Sequence, residues 1–155
     1  MPTETLQSAL EREHHAIDRG VEAFIAGAGS EDSTTAPLVE AMEALQRHIY
    51  LEEEFLFPPL RRAGLTMPIF VMLREHGELW QTMDTLTALI DEKADSQRLR
   101  DASSGFLSQL AEHNGKEEPI IYPQADTALT PRVTADLAEF IASGQTPKGW
   151  RCEKA

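Results

Sequence analysis

Apolar residues recur along most of the chain at helical spacing. A first stripe of Leu6, Leu10, Ile17, Val21 and Phe24 predicts a helix from about Thr3 to Ala26. The stretch GAGSEDSTTAP breaks it, and Pro37 suits the first turn of a second helix. That helix carries Leu38, Ala41, Leu45 and Phe55 and runs to about Phe57, where Pro58 and Pro59 are expected to end or kink it. A third starts near Thr66, the expected N-cap, and is striped by Ile69, Met72, Leu73, Met83, Leu86 and Ile90. A fourth starts near Ser96 and carries Phe106, Leu110 and Ile120. A shorter fifth follows Thr130 and Pro131, with Val133, Leu137 and Phe140 on its face. Strand alternation is absent. Long amphipathic helices with short connections predict an all-α, antiparallel up-down four-helix bundle over residues 1–143, with a short C-terminal fifth helix inside that range. Residues 144–155 read as an irregular tail.

Each of the four long stripes has a gap, and histidine fills it. His14 falls between Leu10 and Ile17, His48 between Leu45 and Phe55, His76 between Ile69 and Met83, and His113 between Leu110 and Ile120. Glu52 and Glu117 follow His48 and His113 by one turn, on the same face. The arrangement also repeats: EHHAI at 13–17 parallels EHGEL at 75–79, and HIYLEEEFLFP at 48–58 parallels HNGKEEPIIYP at 113–123. Two equivalent halves would bring four imidazoles and two carboxylates towards a common axis.

An ionised carboxylate is very costly to bury alone, and no inward stripe offers a lysine or arginine to pair with it. A bound cation resolves the conflict. Imidazole suits iron, zinc, copper or nickel, and carboxylate adds a preference for iron or manganese. Six donors without a thiolate are too many for one tetrahedral structural zinc, and two ions sharing the carboxylates fit better.

The remaining composition narrows the setting. A length of 155 residues suits one domain. A net charge of −12 argues against nucleic acid and anionic membrane surfaces as partners. No apolar run approaches the roughly 20 residues a membrane span needs. The polar, periodic start does not read as a signal peptide. The single cysteine, Cys152, can form neither an internal disulfide nor a CxxC motif. A cytoplasmic protein is expected.

The duplicated motif resembles the hemerythrin-like HHE cation-binding family. The resemblance rests on EH at 13–14 and 75–76, HxxxEE at 48–53 and 113–118, and the aromatic-proline pairs Phe57-Pro58 and Tyr122-Pro123, and covers about residues 6–123. It implies a non-haem di-iron centre, two irons with an oxo or hydroxo bridge, in a pocket that could also accept manganese or zinc. His14, His48, His76 and His113 would be terminal ligands, and Glu52 and Glu117 would bridge. The expected function is binding or sensing of dioxygen, nitric oxide or peroxide, or iron handling. A peroxidase- or ferroxidase-like redox enzyme and an interaction module with a structural metal are the alternatives. Binding is expected rather than turnover, and no catalytic residue is assigned. Oxygen-carrying hemerythrins use HxxxH in the third helix, whereas Met72 and Trp80 flank His76 here, which leaves open positions on the metals. The repair-of-iron-centres proteins carry an N-terminal cysteine-containing segment that this sequence does not show ahead of its first helix.

The other residues divide as follows. His15 is expected in solvent, and Glu13 and Glu75 on the surface. Glu53 and Glu118 either bond to the ligand histidines or face water. Met72, Trp80 and Met83 read as packing, Tyr50 as pointing away, Tyr122 as a helix-end packing residue with a redox role second, and Trp150 and Cys152 as tail residues. Gly115 and Pro119 predict a kink or π-bulge between His113 and Glu117.

Overall fold

The computed structural model describes residues 4–30 and 33–155. Four long helices carry the fold: α1 (Leu6–Gly27), α2 (Ala36–Leu51), α4 (Thr66–Asp91) and α5 (Ser96–Ile120). Three shorter ones are α3 (Phe57–Arg62), α6 (Tyr122–Ala125) and α7 (Pro131–Ser143), and no strand occurs among the described residues. Thr3, the expected start of the first helix, lies outside the described residues. The observed helix is capped by Thr5, whose hydroxyl accepts from the Ser8 N–H at 3.0 Å. Asp126 accepts from the N–H groups of Leu6 and Gln7 at 2.9 and 3.0 Å, pinning the start of α1 beside the end of α6. Asp95 and Thr130 cap α5 and α7 in the same manner. The third long helix departs from expectation: its N-cap is Leu65, with no side-chain cap, because Thr66 already lies in the helix.

The long helices form a ring in which α1 packs on α2 and α5, and α4 on α5 and α2. Neighbours run antiparallel. Gly20 of α1 meets Ala41 of α2, while Glu13 near its other end meets His48. Thr82 of α4 meets Gln109 of α5, and Glu75 meets His113. The apolar interior is split in two. One cluster gathers Ile17, Val21, Leu45, Ile49, Leu79, Trp80, Phe106 and Leu110. The other gathers Leu6, Leu10, Leu51, Leu56, Met72, Leu73, Ile121 and Leu137. Between them, on every long helix, stands one of the inward histidines.

Two local expectations are corrected. Pro58 and Pro59 do not end the second helix. Glu52–Leu56 forms a π-helical turn, in which Phe57 donates to the Glu52 carbonyl, five residues back. The wider turn delivers both prolines to the first turn of α3, where their missing N–H groups are not needed. Of the kink or π-bulge expected at 113–117, the π-bulge is not there. The α-helix continues through Pro119 to Ile120 and Ile121 donates to Glu117 O at 2.9 Å. Pro119 and Gly115 both lie on the solvent face, so the carbonyl that loses its partner can turn to water.

The last residues form no helix but are not loose. Trp150 sits edge-on to Trp80 and Tyr50, with centroids 5.6 and 5.0 Å apart, and Arg151 pairs with Asp84 at 2.7 Å. Cys152 is buried in the first cluster. Lys154 lies against Gly77 so closely that a Cβ there would meet its carbonyl oxygen at 2.5 Å. Trp150 and Cys152 are therefore packing residues, which their position near the chain end concealed.

The close approach of α1 and α2 is tested at Gly20, where a Cβ would stand 2.9 Å from Ala41 Cβ and 3.3 Å from Pro37 O. Gly20→Leu is expected to destabilise the fold by about 1–3 kcal/mol through overpacking. Urea unfolding monitored by far-UV circular dichroism reads the shift in midpoint.

Candidate metal centre

Burial singles out the centre. His14, His48, His76 and His113 are 2%, 1%, 0% and 4% exposed, and Glu52 and Glu117 are 0% exposed. The helical spacing does this: each lies on the inward stripe of its helix, in the layer between the two apolar clusters. One donor atom from each of His14, His48, Glu52 and Glu117 lies within 4.8 Å of the others, and the same holds for His76, His113 and Glu117. The structure thus brings together all six residues singled out from the sequence, with Glu117 common to both groups.

Every histidine is held from behind by a carboxylate. Nδ1 of His14 meets Glu118 at 2.8 Å, that of His48 meets Glu13 at 2.8 Å, that of His76 meets Glu53 at 2.7 Å, and that of His113 meets Glu75 at 2.8 Å. An ionised carboxylate only accepts, so Nδ1 carries the proton and donates, and the Nε2 lone pair turns to the centre. The pairing follows the sequence repeat. The Glu of each EH serves the histidine of the HxxxEE in its own half. The second Glu of each HxxxEE reaches across to the EH histidine of the other half. Further bonds anchor these carboxylates. Arg47 donates to Glu13 at 3.2 Å while its guanidinium also caps the end of α7. Lys116 pairs with Glu75. The backbone N–H of Glu153, in the C-terminal segment, donates to Glu53 at 2.9 Å.

Facing inward, the imidazole and carboxylate atoms approach one another without bonding to each other. His48 Nε2 is 3.0 Å from Glu52 Oε1, His113 Nε2 is 3.3 Å from Glu117 Oε2, and His76 Nε2 is 3.7 and 3.8 Å from those same two oxygens. Yet Glu52 Oε1, His76 Nε2 and Glu117 Oε2 are buried and make no hydrogen bond, being misaligned or too far apart. Buried polar atoms in that state are destabilising unless something else satisfies them. A cation does so, because it needs lone pairs pointing at one place rather than protons between them.

The hemerythrin HHE cation binding domain model matches the chain over residues 5–125. The chain belongs to that family. It is also similar to the iron-sulfur cluster repair protein YtfE of Yersinia pestis (strain Pestoides F) and to the protein of the same name in Yersinia pseudotuberculosis serotype O:1b (strain IP 31758). Each is 30% identical over 100 residues, which cover 58% of this chain and 45% of the relative. The aligned part is thus about half the length of these relatives. No solved structure matches the chain. No helix among the described residues is long and apolar enough to cross a membrane.

Three residues of this hemerythrin-like centre were misjudged from the sequence. Glu13, half-buried, and Glu75, buried, are partners of histidines rather than surface residues; a helical wheel turns them away from their own neighbours, His14 and His76, but towards the histidine of the adjacent helix. Their recurrence in both halves of the repeat was the available signal. Tyr122 is not a mere packing residue. Its hydroxyl lies 2.8 Å from both His14 Nε2 and His48 Nε2 and 2.9 Å from Glu117 Oε1. Glu53 and Glu118 take the first of the two roles open to them. His15 is exposed as expected, and Met72, Trp80 and Met83 pack in the core.

The protein groups of the centre, taken by themselves, are electrostatically frustrated. Burial and the charge of Glu117 push the Glu52 carboxyl well above its usual range. Burial would raise Glu117 as well, but the His113 charge and the close approach of the His113, His14 and His76 imidazoles together outweigh it and hold Glu117 low. Burial would lower His113, yet Glu117 and Glu75 draw it up to about 10. Burial and the two carboxylates hold the Tyr122 phenol far above its ordinary value. On the outer side, the His113 hydrogen bond chiefly holds Glu75 down at about 2, against an ordinary value of 4.5. A carboxyl depressed on folding contributes stability above its unfolded value and loses it as pH falls through its folded one. The metal-free protein is therefore expected to lose stability between pH 4.5 and about 2, with a shallower loss in Glu75→Gln; urea titrations across that window measure both.

Proposed function

We propose that the chain is a di-iron protein that binds or senses a small ligand, whether dioxygen, nitric oxide or peroxide, or handles iron. The observation that carries the reading is the set of buried, unbonded donor atoms, Glu52 Oε1, His76 Nε2 and Glu117 Oε2, at the meeting point of four imidazoles. In this reading His14 and His48 hold one ion, His76 and His113 the other, and Glu52 and Glu117 bridge. A pair of irons would supply open coordination positions and one-electron changes between ferrous and ferric states. The chain's own residues do the rest. The four outer carboxylates fix each imidazole's tautomer and direction and raise its basicity. The two apolar clusters keep bulk water from the layer. Similarity to proteins named for iron-sulfur cluster repair supports the iron-handling role.

Elemental analysis of freshly purified protein is expected to give about two irons per chain, and less than one bound metal of any kind would overturn the reading. Glu52→Ala should abolish stoichiometric loading. Glu13→Gln and Glu75→Gln should keep it while weakening affinity by about 10- to 100-fold, as loss of a histidine's outer partner typically does. Competition with a chelator distinguishes the two classes.

A further inference from the structure

We infer that the Tyr122 phenol oxygen is an additional metal donor, on the His14/His48 side of the centre alone, so that an external ligand binds at the His76/His113 side. This rests on the reading of the six histidines and glutamates as ligands. Tyr122 Oη stands 2.8 Å from His14 Nε2, 2.8 Å from His48 Nε2, 2.9 Å from Glu117 Oε1 and 3.3 Å from Glu52 Oε2. A hydroxyl has one proton to donate, and the two carboxylate oxygens compete for it while both imidazoles crowd its lone pairs. Four neighbours in one shell oversubscribe a phenol but suit a ligand atom. Metal bonds of about 2.1 Å at right angles set adjacent donors about 3 Å apart. The neighbouring pairs show the same spacing: His14 Nε2 to Glu117 Oε1 is 3.1 Å and His48 Nε2 to Glu52 Oε1 is 3.0 Å.

The other half of the repeat supplies the contrast. Phe57 holds the place equivalent to Tyr122. Its ring stacks on His76, centroids 5.5 Å apart and planes 18° from parallel, and it has no donor atom to offer. Beside it opens a cleft of about 230 Å³ lined by Glu53, Phe57, Arg61, Trp150 and Glu153. The side lacking a phenol oxygen thus has a cleft against its aromatic ring, the nearest approach the surface offers to His76 through Phe57. When a ferric ion is held, the phenol proton passes to solvent and the phenolate oxygen takes its place in the coordination sphere; no electron is transferred.

The full chain, stripped of metal, reloaded with ferrous iron and oxidised to the ferric form, tests this. Phenolate-to-ferric charge transfer in the visible and the matching tyrosine ring modes in resonance Raman are expected in the wild type and absent in Tyr122→Phe loaded with equal iron. The chain has 2 tyrosines, so survival of both signatures in Tyr50→Phe assigns them to Tyr122 even if Tyr122→Phe misfolds. An iron-loaded wild type without phenolate modes, or modes that persist in Tyr122→Phe, would overturn the assignment while leaving the six-ligand centre standing. A wild type that takes up no iron fails earlier, at the six ligands, and takes this inference with it.

Discussion

The structure turns on the burial of acid and base in the middle of an apolar bundle. Glu52, Glu117 and four imidazoles occupy a layer that divides the hydrophobic interior into two clusters, one at each end of the helices. Such groups are tolerated in low dielectric only when every lone pair and proton has a use. The outer nitrogen of each imidazole is used by a carboxylate. Of the inner atoms, Glu52 Oε1, His76 Nε2 and Glu117 Oε2 remain unsatisfied, so the fold commits free energy to a site that a cation would complete. Helix capping, the Arg47 clamp on α7 and the packed C-terminal segment all keep those atoms in place.

That arrangement also accounts for the glutamates surrounding each histidine in sequence. In a helix, adjacent residues point about 100° apart, so the Glu before or after a ligand position cannot serve it. It can serve the neighbouring helix. The EH and EE doublets therefore encode lateral contacts: one member looks along the bundle axis and the other reaches sideways to hold the imidazole next door. Read with its neighbours, each doublet specifies which helices must lie side by side.

Much of this was legible from the chain alone. Helical period, proline positions and the four histidine gaps indicated a four-helix bundle, and duplication of the motif identified the six inward groups. Two kinds of feature were not legible. Glu13, Glu75 and Tyr122 act through contacts between helices, and a single-helix wheel assigns direction without saying what lies beyond. The π-helical turn at Glu52–Leu56 and the α-helical course of α5 through Pro119 are two local accommodations of proline that residue type alone does not distinguish. Trp150 and Cys152 looked peripheral because nothing local marks a terminal segment that packs back onto Gly77 and Trp80.

The exchange of glutamates between halves has a historical consequence. A lone hairpin of α1 and α2 would keep the Glu13–His48 bond but leave His14 and Glu53 without mates. A second, identical hairpin placed about a two-fold axis would restore both. Such a hairpin could have begun as a self-complementary homodimer, and gene fusion would then have freed each copy to drift on its own. Phenylalanine in one copy and tyrosine in the other is a divergence that two copies of a single identical chain could not carry.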